Sequence, residues 1–164
     1  MNPLTPGTLT FESPAGTLSP DMTCREFDGA SLGQAASVRL EGRRTHFRLD
    51  RCTIAGEDFS ADIVFEGQRL DRLELALRLA GDEEGWGGWT EEKERQRKER
   101  GERWLNQVCS KPSGILLFDI EGQWITPIER TWDATRGIRF PWGEITSFYD
   151  SKAGFVGIMV RYSA

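Results

Sequence analysis

His46 is the only histidine in the chain, so any Ser–His or Cys–His nucleophile pair must be built on it. It stands beside Phe47 in an alternating run, and neither a GxSxG elbow nor a cysteine-protease signature occurs. It reads as an ordinary strand histidine. Cys24, Cys52 and Cys109 are odd in number and far apart, with no CxxC and no zinc-type spacing to a histidine. They read as reduced, mostly buried thiols of a cytoplasmic protein. Carboxylates are abundant, and a close pair would suffice for acid–base work. Asp58, Asp62, Asp119, Glu144 and Asp150 nevertheless form no diagnostic grouping. Gly85-Trp86-Gly87-Gly88 matches neither GxGxxG nor GxxxxGK[ST], which leaves a nucleotide site without support. The expectation is a non-enzyme with no metal and no cofactor.

Recognition chemistry is better represented. Aromatic side chains dominate contact hot spots, and the chain has six tryptophans. Trp104 and Trp142 fit core positions. Trp86 and Trp89 instead sit in a glycine loop beside Asp82, Glu83 and Glu84. These five, with Glu74 on a predicted strand, are the candidate partner contacts. Lys and Arg number 21 against 26 Asp and Glu, a net charge of -5. That balance argues against a nucleic-acid binder, which lives on neutralising phosphates, and suits a basic protein partner. The first seven residues lack a basic n-region and an apolar h-region. Apolar runs such as Ile115 to Phe118 are far too short for a membrane span. A cytoplasmic location is expected.

The elements that must hold these residues follow from period and punctuation. The 164 residues, 38% of them hydrophobic, suffice for a single domain over 1–164 with a real core. Thr8 to Phe11 reads as a first strand, turned by Ser13-Pro14-Ala15-Gly16. Ser19 and Pro20 suit the cap and first position of a short helix through about Phe27. From residue 35 the period is two. Ser37–Leu40 and Thr45–Leu49 flank a hairpin turn, Phe59–Phe65 and Arg69–Leu79 another. Leu73, Leu75, Leu77 and Leu79 alternate with polar or small residues, so one face of that strand is buried and one is wet.

Thr90 can cap a charged helix over about 90–109, with Glu91–Arg95, Glu94–Lys98 and Glu99–Arg103 as supporting pairs. Its acids and bases nearly balance, so it reads as solvated, with Arg97, Gly101, Trp104, Leu105 and Val108 as the inner stripe. Gly101 on that stripe implies a helix backbone close to a sheet. Lys111-Pro112 stops it. Beyond, Gly114–Ile120 and Gln123–Ile128 are expected to pair across Glu121-Gly122, and Arg139–Tyr149 with Phe155–Tyr162 across residues 150–154. The fold class is therefore α+β: a curved antiparallel sheet with one main helix packed across one face.

The run Trp142-Gly143-Glu144-Ile145-Thr146-Ser147-Phe148-Tyr149-Asp150-Ser151-Lys152-Ala153-Gly154 resembles the closing hairpin of a family of small bacterial cytosolic proteins of unknown function. In these, W-G-x-[IV]-x-S-x-Y-D-x-[KR]-x-G precedes a short apolar strand ending in Tyr. The leucine-alternating strand, the Trp-containing loop and the charged helix ending in Trp104-Leu105 are also similar. The resemblance covers about 60–110 and 140–162, and an extra segment over about 113–137 departs from it. Such proteins occur in polymorphic-toxin settings, so the resemblance implies an immunity protein that occludes the active site of a cognate toxin. A self-associating structural or accessory module is the alternative, and a carboxylate-dependent enzyme a more distant one.

Overall fold

Period-two stretches become strands and the charged 3.6-period stretch becomes a helix. The computed structural model describes residues 6–82, 88–109, 123–125 and 131–163. A hairpin, β1 (Leu9–Glu12) and β2 (Ala15–Leu18), leads into two short helices, α1 (Cys24–Gly29) and α2 (Ser31–Ala35). A meander follows: β3 (Ser37–Glu41), β4 (Arg44–Ile54), β5 (Glu57–Glu66) and β6 (Arg69–Leu77). Then come the long helix α3 (Glu91–Cys109) and the strands β7 (Gln123–Ile125), β8 (Arg136–Phe140), β9 (Gly143–Asp150) and β10 (Phe155–Tyr162). Strands β3 to β10 form one open antiparallel sheet in the order β3-β4-β5-β6-β10-β9-β8-β7. The last strand returns to pair with β6, setting Ile158 opposite Leu75 and Val160 opposite Leu73. That pairing joins the two halves of the chain in one α+β core.

Alternation decides which face is covered. Phe47, Phe59, Ala61, Ile63, Leu73, Leu75, Ile145, Ile158 and Val160 are all buried, and cross-strand partners put them on the same side. Onto it α3 lays Gly101, Trp104, Leu105 and Val108. Gly101 packs over Ile158 of β10, where an added Cβ would make an ordinary contact of 3.4 Å with Ile158 Cδ1; the helix lies against the sheet there, but the approach does not itself demand a glycine. Toward the other end α1 contributes Phe27, whose ring meets Phe47 at 4.9 Å and Phe65 at 5.6 Å between centroids. Gly33 in α2 is required by close approach, since a Cβ there would fall 2.0 Å from the Phe27 carbonyl oxygen.

Three expectations change, and a fourth falls partly outside the described residues. The first helix begins at Thr23, not Ser19, because Thr23 and Glu26 form a reciprocal capping box: the Glu26 N–H donates to Thr23 Oγ1 at 3.2 Å and the Thr23 N–H to Glu26 Oε2 at 2.8 Å. Two orphan donors are satisfied there, while the Ser19 hydroxyl donates to Asp21 within a turn. The strand expected over Arg139–Tyr149 is two strands, broken at Pro141-Trp142 and folded back so that Phe140 faces Gly143. Gln123–Ile125 pairs with β8, Trp124 opposite Ile138; the proposed partner Gly114–Ile120 lies outside the described residues. Finally, α3 is not solvated all along its charged half, since Glu94 and Lys98 are 4% and 2% exposed. Its inner stripe starts on these two rather than on Arg97.

Candidate functional site

The buried charges of α3 exist because the helix must be tied to the ends of strands that leave main-chain groups open. Arg97 is the tie. Its guanidinium donates to the carboxylates of both Asp82 and Glu94, and its Nε to the Leu77 carbonyl at the end of β6 at 3.2 Å. Glu94 uses its other oxygen to accept the Val156 N–H of β10 at 3.1 Å. Asp82 accepts the Leu79 N–H at 2.8 Å. One planar fork thus bridges two carboxylates and a carbonyl, a task its five fixed donors suit and a lysine's do not. The expected Glu94–Lys98 pair is absent. Lys98 turns instead to Glu102 and donates to the Ala134 carbonyl at 2.8 Å.

Burial alone would raise the Asp82 carboxyl, but the Arg97 bond and the Leu79 N–H outweigh it and hold Asp82 below its ordinary 3.8. A carboxyl depressed in the folded state adds stability that is fully present above the unfolded value and is lost as pH falls through the lower folded one. We therefore expect Asp82→Asn to cost stability at neutral pH, and the gap to wild type to close on acidification below about pH 4. Urea midpoints measured across that range would check it; a gap independent of pH would show that the charge of Asp82 is not what stabilises.

This network forms one wall of a cleft of about 710 Å³ at the end of the sheet. Ser60 and Ala76 give it a small-residue floor, Arg48, Asp50 and Arg78 an opposite side, and Trp89, Gly154 and Phe155 a rim. Arg78 is positioned by donating to the Asp50 carbonyl at 3.1 Å. Trp89 is 41% exposed, yet its indole N–H donates to the Gly154 carbonyl at 2.6 Å. Lys93 anchors the same turn by donating to the Gly88 carbonyl at 2.9 Å. An exposed aromatic is therefore held at a defined angle over a polar hollow. Three arginines and three carboxylates line it, which is a surface built for charge-paired contact rather than for an apolar ligand.

Of the residues singled out from the sequence, Asp82 and Trp89 meet in this cleft. Glu83, Glu84 and Trp86 lie outside the described residues. Glu74 does not join them: it sits on the outer face of β6, where Arg72 Nε donates to it at 2.7 Å. Helical spacing places Arg97 on the inner stripe and gives Glu94 only a partner on its own helix. Their true partners, Asp82 and the Val156 N–H, are 15 and 62 positions away, a separation that no local spacing reveals. Trp104 is core, with its N–H on the Ile54 carbonyl at 3.0 Å. Trp142 is partly buried and stacks on Phe140 at 4.9 Å.

His46 is a buried strand residue whose Nδ1 lies 3.1 Å from Asp62 Oδ2 and whose Nε2 lies 3.3 Å from Glu41 Oε2. Cys52 stands opposite Phe59 on the covered face, while His46 stands opposite Val64 on the other, so the two do not form a pair. Burial pushes the Cys52 and Cys109 thiols up to about 12, the reverse of a nucleophile's shift. Among the described residues no cluster of three His, Cys, Asp or Glu could hold a metal ion, and no helix is long and apolar enough to cross a membrane. Compared with known proteins, the chain matches no family model, no curated protein and no solved structure.

Proposed function

We propose that this chain is a protein-binding module of the immunity type, which neutralises a cognate toxin by seating part of it in the cleft and covering its active site. The observation that carries this reading is Trp89: an aromatic side chain that is substantially exposed and at the same time fixed by its bond to Gly154. A rigid exposed aromatic contributes contact area without a large ordering cost on binding, which is how interface anchors act. Arg48, Asp50 and Arg78 beside it supply the charges that set partner and register. The net charge of -5, with Glu83 and Glu84 following Asp82 in the sequence, favours a partner of basic character. Asp82, whose carboxyl the Arg97 bond holds below its ordinary value, is not suited to the general-acid role that a carboxylate enzyme would need from one of its pair.

The test is growth of cells expressing the product of the neighbouring gene, with and without this chain. Wild type is expected to restore growth and to form a stoichiometric complex with that product. Trp89→Ala should weaken the complex by about 2 kcal/mol, roughly thirtyfold, while the protein still unfolds cooperatively, with stability lower by about 1 kcal/mol for the lost bond to Gly154. Undiminished binding by Trp89→Ala would remove the cleft from the proposal, and no complex with the toxic product would remove the immunity reading.

A further inference from the structure

The open sheet ends on β3, and this edge has an unusual surface. All five residues of Ser37–Glu41 are exposed. Val38 and Leu40, at 52% and 76%, are two of the three exposed large hydrophobics among the described residues. The third is Trp89, in the cleft. Along β3 the apolar residues share one side with Phe47 and Thr45 of β4, and Arg39 and Glu41 share the other with His46 and Arg44. The strand is therefore apolar on one face, charged on the other and, among the described residues, unpaired along one edge.

Its main-chain groups have a defined direction. The β3–β4 turn is a two-residue loop whose first residue, Gly42, has φ +60°, as a type II′ hairpin requires. In such a hairpin the residues flanking the loop face each other as a hydrogen-bonded pair, and the pattern alternates from there. Glu41, Arg39 and Ser37 thus turn their N–H and C=O groups toward β4. Val38 and Leu40 turn theirs outward, to the free edge.

We propose that the occupant of this edge is β3 of a second copy of the chain, added antiparallel about a two-fold axis through Leu40. Three features of the sequence meet in that register. Leu40 and the partner's Leu40 face each other as a hydrogen-bonded pair, which the outward main-chain groups of Leu40 permit. Arg39 stands opposite the partner's Glu41, and Glu41 opposite the partner's Arg39, giving an alternating square of four charges on the other face. Val38 flanks the paired leucines. The neighbouring register, one step away, sets Arg39 against the partner's Arg39 and Glu41 against the partner's Ser37, so no opposite charges face each other across the interface. A second step removes Glu41 from the paired segment altogether. Only the Leu40-centred arrangement buries the leucines and pairs every charge, and a two-fold interface must be self-complementary in this way. Edge strands with exposed apolar residues and free main-chain groups are templates for such pairing. The contact is short, so the dimer is concentration-dependent. It lies on a different part of the sheet from the cleft and stands independently of the immunity reading.

Sedimentation equilibrium over a wide concentration range tests it on the intact chain. Wild type is expected to show a reversible monomer–dimer equilibrium. Leu40→Lys places two cations face to face at the axis and should leave only monomer; the position is exposed, and an unchanged melting curve verifies the fold. Glu41→Arg opposes like charges twice and should weaken the dimer about tenfold. Combining it with Arg39→Glu restores both pairs with signs exchanged and should bring the affinity back to near wild type. A monomer at every concentration overturns the proposal, as does a dimer that Leu40→Lys leaves intact. A single charge reversal without effect, or a double reversal without recovery, overturns the register.

Discussion

Trp104→Ala is expected to destabilise the fold by about 3–5 kcal/mol, the range for removing a large buried aromatic. In a domain of this size that corresponds to a melting temperature lower by roughly 10 °C. The physical reason is the position of Trp104 where three elements meet. Its ring lies edge-on to Phe59 of β5 at 5.0 Å between centroids. Its N–H bonds the Ile54 carbonyl where β4 turns into β5. Its backbone belongs to α3, one turn from the point at which Gly101 packs over Ile158. Truncation removes the ring's contacts from a sheet–helix interface that cannot close over the gap, and it also leaves a carbonyl without its donor. Trp104→Phe separates the two contributions: it keeps most of the packing and should cost about 1 kcal/mol for the lost hydrogen bond plus a smaller packing loss. Urea unfolding at constant m-value would measure both. Equal costs for Phe and Ala would place the effect in the hydrogen bond rather than the ring.

Removing Arg97 should be the second large effect. Arg97→Leu leaves Asp82 and Glu94 facing one another without the cation that both contact. Breaking a buried pair by deleting one partner costs about 3–5 kcal/mol, and because Arg97 keeps some solvent access we expect about 2–3. The Leu77 carbonyl loses a donor in the same step. Arg97→Lys should recover only part of the loss, since an ammonium cannot span two carboxylates and a carbonyl as the fork does. The triple variant Asp82→Asn, Glu94→Gln, Arg97→Met should be less destabilised than Arg97→Leu alone. No uncompensated charge remains there, and the glutamine oxygen can still accept the Val156 N–H. A triple variant much worse than the single one would mean that the charges themselves, rather than their mutual compensation, hold α3 to the sheet.

The consequence for binding is distinct from the consequence for stability. Trp89 is carried by the turn that precedes α3, and its indole is bonded to the β9–β10 turn. Loosening α3 at Arg97 therefore releases the anchor as well as the helix. Trp89→Ala should affect mainly recognition, with about 1 kcal/mol of stability for the lost bond, whereas Arg97→Leu should affect both strongly.

Local period was enough to read much of this fold. Leu73, Leu75 and Leu77 had to face a core because alternate residues of a strand point to opposite sides. Gly101 had to lie near the sheet because it falls on the buried stripe of its helix. The closing strand, with Val156, Ile158, Val160 and Tyr162 buried, followed from the same alternation. Even the hairpin at Gly42 was readable from its two flanking strands.

Only the tertiary structure decided where the charged residues of α3 belong. On a helical wheel Glu94 and Lys98 are surface residues that pair with each other. They are buried because Glu94 accepts the Val156 N–H, 62 positions away, and Lys98 donates to the Ala134 carbonyl, 36 positions away, and burying a polar group without a partner is the greater cost. The cleft arises from the same long-range pairing: β10 returns to β6 and carries Gly154 and Phe155 to the side of Trp89 and Asp82. That return also covers β6, which would otherwise be an edge of the meander as β3 is. Strand order depends on contacts between segments far apart in the chain, and a period of two residues carries no information about it.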